Sequence, residues 1–259
     1  MISTSERRLI FVDADVLAFP RSRSLVLFGS RYPGINFAPR WSLKAEAKAD
    51  AALAKQWETK VSRHDVGRRR RPVPVSVLRE DPSAADWAEH VIVADATIDA
   101  MADLVDTSPG DKHIMAAARA CGAGVIVSQN VPDFGKKDLA RCDVSVAHPD
   151  LFLAETLTGP AYVAALVAIG EHMSKPKTPA EIHADLGRTH PRLVAAMEKM
   201  FPDVTPAAPE NVPHEVFRGR RCLVCGRVMS DPESLALGVG PECRQQGVAV
   251  RMDDHIGSS

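Results

Sequence analysis

Three aspartates stand where strands end or helices begin. Asp13 closes the apolar run Arg8 to Val12, and Asp133 follows the buried-looking run Val125 to Ser128. Asp111 opens a stretch whose apolar positions Ile114, Ala117, Ala118 and Cys121 follow helical spacing. In a parallel α/β sheet, ligands gather at the carboxyl ends of the strands and at the adjoining helix starts. Three carboxylates from distant parts of the chain are therefore expected at one edge. Unpaired, they would repel at a cost on the order of several kcal/mol. Mg²⁺ or Mn²⁺ resolves that conflict, because hard divalent cations prefer oxygen ligands. A cation so held activates water and stabilises charge on a phosphodiester under attack. Each acid taken alone is also a plausible helix cap or turn residue, Asp111 after Ser-Pro-Gly above all.

A second cluster suits a softer metal. Cys222-Leu-Val-Cys225-Gly-Arg is a Cys-x-x-Cys knuckle, and 17 residues separate Cys225 from Cys243. The glycine after the second cysteine favours the tight turn that faces backbone amides toward thiolates. Structural zinc takes four ligands, usually Cys and His. The three cysteines leave one position, for which His214 and His255 are the candidates. A redox pair or a chance spacing in a tail is the competing interpretation. Zinc is expected because so short a module otherwise lacks a core. The other two cysteines, Cys121 and Cys142, stand alone, and an odd total of five argues against a disulfide framework.

The elements that must position these groups alternate. Arg8 to Val12 reads as a strand and Ser22 to Tyr32 as a short helix after Pro20. Trp41-Ser42 opens an Ala- and Lys-rich helix to about Lys60. A helix from Asp111, a strand at Val125 to Val127 and a strand at Val144 to Val146 follow. Four further helices start near Pro149, Ala161, Pro179 and Pro191. Such alternation predicts an α/β fold with a central parallel sheet over residues 1–160, then a helical extension over 161–201. Residues 202–213 hold four prolines and form a linker. Residues 214–259 form the small zinc-binding module. No internal repeat is visible.

Composition narrows the function. Lys plus Arg number 32 against 33 for Asp plus Glu, a net charge of -1, so nucleic-acid binding through overall charge is excluded. Any such contact must come from a local patch. Arg68 to Arg71 and the arginines 218, 220 and 221 are candidates, though a solvated charge run is the default for such residues. Ala161 to Gly170, the longest nearly apolar stretch, is half a membrane span. With no secretory signal in the first residues, no membrane association and a cytoplasmic location are expected.

Ile10-Phe-Val-Asp-Ala-Asp-Val-Leu17 resembles the opening strand of PIN-domain nucleases, with Asp13 at their first metal-binding aspartate. Asp111-Lys-His-Ile-Met-Ala-Ala-Ala118 and Val125-Ile-Val-Ser-Gln-Asn-Val-Pro-Asp-Phe134 resemble later motifs of that family. Pro149-Asp-Leu-Phe-Leu153 and Lys175-Pro-Lys-Thr-Pro-Ala180 are similar to the helical extension of its VapC-like toxin subgroup. The resemblance covers about residues 8 to 201. It implies a three-layer α/β/α domain that hydrolyses RNA endonucleolytically with Mg²⁺ or Mn²⁺ on Asp13, Asp111 and Asp133. It also implies an antitoxin partner, with a homodimer in keeping with the pairing common among such domains. Ser128 and Asn130 would orient a carboxylate or phosphate, and Lys136 and Lys137 would meet the RNA backbone. The segment from Cys222 to Cys243 resembles a short zinc-binding module of unassigned function.

One position departs from the pattern. The subgroup carries a glutamate seven residues after the Trp, where this chain has Lys48. Glu46 and Asp50 flank it, each about 200° away around a helix. Glu46 substitutes for the missing acid if the helix shifts; otherwise Lys48 weakens the site and leaves an RNA- or protein-binding protein. Phe11-Val-Asp-Ala-Asp also resembles the Asp-x-Asp strand of haloacid-dehalogenase-like phosphatases. Their paired acidic motif has no counterpart except Asp253-Asp254 in the tail.

Overall fold

The computed structural model describes residues 7–61, 73–76, 92–95, 98–210, 213 and 215–246. The arginine run 68–71, His214, His255 and the pair Asp253-Asp254 lie outside the described residues.

Strand β1 (Arg8–Val12) is central, its last three residues fully buried. It pairs in parallel with β2 (Phe37–Ser42) on one side and β4 (Val125–Val127) on the other. Outside these lie β3 (Ile92–Val93) and β5 (Ser145–Ala147), also parallel. The order is β3-β2-β1-β4-β5-β6, with β6 (Phe217–Arg218) antiparallel on β5. From β1 the chain first moves out to β2 and β3, then crosses to β4 and β5. The reversal opens a crevice beyond the carboxyl ends of β1 and β4, where an α/β sheet binds ligands.

β2 and β3 escape the sequence pattern for physical reasons. Pro39 lies inside β2 opposite Ile10, although a proline donates no ladder hydrogen bond and ordinarily argues against a central strand. β3 has two residues, too few to show a period.

The helices fall near their expected places. After α1 (Ala14–Leu17), α2 (Pro20–Ser30) begins at Pro20 itself, with the proline in its first turn. Helix α3 (Leu43–Val61) starts after Ser42, whose hydroxyl accepts from the Ala45 amide at 3.2 Å. Its inner face is Ala45, Glu46, Ala49 and Leu53. Beyond α4 (Ile98–Ala102), α5 (Lys112–Ala120) and α6 (Lys136–Cys142) precede β4 and β5. Four helices follow: α7 (Pro149–Thr156), α8 (Gly159–His172), α9 (Pro179–Leu186) and α10 (Pro191–Ala196). They share one core with the sheet, for example where Phe152 meets the edge of Phe37. Ser22 on α2 lies 3.0 Å from buried His190, before α10.

The Pro-rich stretch is engaged as far as residue 210. The Ala207 amide donates to Ala184 O at 2.9 Å, and Glu210 N donates to Arg188 O at 2.8 Å. A side chain at Gly187 would come within 2.4 Å of Ala207 O, so only glycine permits this approach.

Residues 215–246 do not stand apart. Beside the β6 pairing, His148 N donates to Val216 O at 2.8 Å, and Arg221 N to Ser145 Oγ at 2.8 Å. Gly219, at φ +141, packs directly on Ser145. Helix α11 (Pro232–Leu237) is capped by Asp231 and ends on Gly238, which packs against Phe217 and Leu223. Arg218 and Arg221, offered by the sequence as nucleic-acid contacts, instead donate to backbone carbonyls of the chain itself. Carbonyls of a short turn, a helix end and a loop, left without ladder partners, draw them inward.

Candidate metal centres

Asp13 follows β1 directly, and its amide donates to Val127 O at 3.0 Å, locking it beside the end of β4. Its carboxylate caps α1 through the Ala14 amide. Ser128, the first residue past β4, donates its hydroxyl to Asp13 at 2.8 Å and lies 3.1 Å from Asp15. One hydroxyl proton cannot satisfy two carboxylates. Burial and the neighbouring Asp15 accordingly push the Asp13 carboxyl up to about 7. Asp15 rises to about 6, through burial, even though it accepts from Gln129 N at 3.0 Å. Its Oδ1 is buried without a hydrogen-bond partner.

Asp111, just before α5, faces the same cleft. Burial, then Asp13, raises its carboxyl to about 6, and it hydrogen-bonds Asp133. Asp133 is oriented by the side-chain amide of Asn130. Its carbonyl accepts from Ser108 N at 2.8 Å, while Asp111 N donates to Ser108 O at 2.9 Å. The two acidic loops are thus tied together. Asp15 is the member that spacing alone did not select; a carboxylate two residues past Asp13 on a tight turn was the available signal.

Asp13, Asp15 and Asp111, acids that burial drives toward neutrality, gather oxygen donors of the type a hard divalent cation prefers, an orphaned carboxylate oxygen among them. No three carboxylates of the described residues, however, close to within 4.8 Å of one another. Lys48 stands at the rim of the cleft. Its Nζ donates to Gly110 O at 2.9 Å, and its charge favours the ionised forms of Asp13 and Asp111. Glu46 projects from the inner face of α3 and accepts from the Trp41 indole at 3.1 Å. Asp50 is committed elsewhere, to the Val75 and Ser76 amides and the Ser76 hydroxyl. His113 is buried, and burial together with Lys48 lowers its imidazole to about 4, so it is neutral at pH 7. Lys136 and Lys137 are exposed on the first turn of α6, directly after the Asp133 loop.

A buried carboxylate holds the segment that leads into Ser108. Asp138 accepts from the amides of Val105, Asp106 and Thr107 at 2.8 to 3.2 Å and from Arg141 at 2.9 Å. Asp138→Ala is expected to cost about 3 kcal/mol, because three amides lose their shared charged acceptor. Urea unfolding of the variant measures that loss.

The other centre is tighter. Cys222, Cys225 and Cys243 are the one group among the described residues whose ligand atoms all lie within 4.8 Å of each other. Desolvation pushes the Cys222 thiol up, but amides of Gly240, Cys225 and Val224 outweigh it and leave its pKa lowered. Burial and the other two sulfurs raise Cys243 to about 12. Soft, crowded sulfur donors of this kind fit zinc. The predicted His214 lies outside the described residues.

Residues 215–246 match a family model described as "Family of unknown function (DUF6011)". Over 99 residues, 37% of this chain, the sequence is 30% identical to a Mycobacterium tuberculosis protein named "Putative ribonuclease VapC50". The chain spans 59% of the length of that relative. No solved structure matches significantly. The sequence is thus similar to a VapC protein over part of its length and carries a three-cysteine cluster within a segment that matches a separate family.

Proposed function

We propose that the protein is a metal-dependent endoribonuclease with a PIN-like α/β/α domain, the toxin of a toxin–antitoxin pair. The observation that carries this reading is the convergence of Asp13, Asp111 and Asp133, from three separate loops, at the crevice between β1 and β4. The similarity to a protein named as a ribonuclease supports it.

Asp13, Asp111 and Asp133, with Glu46 as the buried acid from α3, would hold Mg²⁺ or Mn²⁺. The cation supplies an activated water and neutralises charge on the scissile phosphate. Ser128 holds Asp13, and Asn130 turns Asp133, so neither carboxylate must reorganise when RNA arrives. Lys136 and Lys137 meet the flanking phosphates. In the overall hydrolysis, the water oxygen bonds to phosphorus, the phosphorus–oxygen bond to the leaving ribose breaks, and that oxygen takes a proton. The cysteine centre would hold a structural Zn²⁺ on Cys222, Cys225 and Cys243, with His214 or His255 as the candidate for its fourth ligand. The expected partners are RNA, an antitoxin covering the cleft and a second copy of the chain, in the cytoplasm. No helix among the described residues is long and apolar enough to cross a membrane.

The test is cleavage of RNA by the purified protein with Mg²⁺ or Mn²⁺ and its loss in EDTA. A folded protein that cuts no RNA under either metal refutes the proposal.

Lys48 favours a second reading, a binding protein whose cleft is partly neutralised from within. Under the nuclease reading, Lys48→Glu adds a donor and removes a competing cation. Calorimetric titration is expected to show Mn²⁺ binding roughly tenfold tighter in that variant. Unchanged affinity favours the binding role.

A further inference from the structure

We infer that the C-terminal cysteine module is a positioning element for the acidic cleft, and that Arg218 is the residue through which it acts. The inference rests on the nuclease reading above. Arg218 lies on β6, opposite Val146 of β5, with its side chain largely covered. One edge of its guanidinium is held by Glu215, Nε donating to Oε1 at 2.8 Å and Nη2 pairing with Oε2. Nη1 on the other side donates to Pro132 O at 3.0 Å and Phe134 O at 2.9 Å.

Those two carbonyls bracket Asp133. They belong to the single 3-10 turn Val131–Asp133 and its cap, too short to satisfy them internally. A planar fork clamped on one edge and bridging two carbonyls with a single nitrogen fixes the loop in a way a lysine ammonium cannot. From Asp133 the tie continues through Ser108 to Asp111. The module thereby sets two of the three candidate ligands without touching any substrate.

Arg218 is held in place only as firmly as the module is. β6 has two residues, and a pair so short has little stability of its own. It is anchored at its far end by the cysteine knuckle, where Arg8 of β1 donates to Cys222 O at 2.7 Å. Zinc on the three thiols would secure the knuckle, then β6, and through Arg218 the Asp133 loop. A metal of one chemistry thus stiffens the site for another.

The full chain, loaded with zinc, is compared with Arg218→Ala, Glu215→Gln and the control Arg227→Ala, whose ion pair with Glu242 is solvent-exposed on both sides. Two readouts are taken: Mn²⁺ affinity by calorimetry, and amide exchange of the peptide covering 129–136. Arg218→Ala is expected to weaken Mn²⁺ binding on the order of tenfold and to speed exchange in that peptide. Glu215→Gln should give a smaller change of the same sign, and Arg227→Ala none. Where RNA is cut, the Mn²⁺ concentration for half-maximal rate rises in the same order. Stripping zinc from the wild type should reproduce the loss but add little to Arg218→Ala. Unchanged Mn²⁺ affinity and exchange in both Arg218→Ala and Glu215→Gln overturn the inference. Failure of the wild type to cut RNA refutes the nuclease reading alone, because affinity and exchange still judge the positioning role.

Discussion

Under the proposed nuclease reading, Asp13→Asn is expected to lower metal-dependent RNA cleavage to below roughly a thousandth of the wild-type rate while making the metal-free protein more stable at pH 8. The two effects have one origin. Asp13 is buried beside Asp15, and its carboxyl is raised to about 7. In the folded protein the proton is therefore held more tightly than in the unfolded chain. Below about pH 4 both states are protonated and the carboxyl costs nothing. As pH rises through about 7 the folded state must ionise a desolvated group, and stability falls by an amount on the order of a few kcal/mol. Asparagine keeps the shape, cannot ionise and offers a poor ligand. Thermal melts in EDTA are expected to coincide near pH 4 and to separate at pH 8, with the variant higher. An RNA cleavage assay with Mn²⁺ gives the other half. Cleavage that survives the substitution would move the chemistry away from this cleft.

If the cysteine cluster holds zinc, Cys222→Ser is expected to remove it and to unfold residues 215–246. Apolar packing in this segment rests on a few buried residues, Phe217, Leu223, Met229 and Val239, too few to hold thirty residues together unaided. Zinc bound by thiolates contributes about 10–16 kcal/mol of binding free energy in small domains, which becomes folding free energy. Metal analysis is expected to find one zinc in the wild type and none in the variant. Limited proteolysis should then cut the variant within the module while sparing the sheet and helices before it. Cys121→Ser, outside the cluster, should keep the metal. A zinc-free variant whose module resists protease would mean that docking on β5 suffices.

Much of the candidate site's composition is legible in one dimension. Asp13, Asp111 and Asp133 announce themselves by standing at element ends, because local sequence determines where strands stop and helices start. The cysteine spacing likewise predicts a cluster, since a knuckle closes within a few residues. Pro39 hid β2 because a local rule against proline in a central strand was overridden by the pairing around it. Asp15 was ambiguous for a related reason: a side chain in a first turn is a cap or a site member depending on what lies across the sheet, and here Ser128 and Gln129 decide it. Lys48 stands out in the sequence as a foreign residue, but its contact with Gly110 depends on how α3 leans over the cleft.

By itself, then, the sequence determined the alternating α/β class, the order of the elements, the acids available to a hard cation and the thiols available to a soft one. Short-range propensity and residue chemistry suffice for each of these. Tertiary structure alone decided that the last segment adds an antiparallel strand to the sheet, and that Arg218 reaches back to the carbonyls around Asp133. Contacts between residues seventy or more positions apart arise from the packing of a whole domain, which no local spacing encodes.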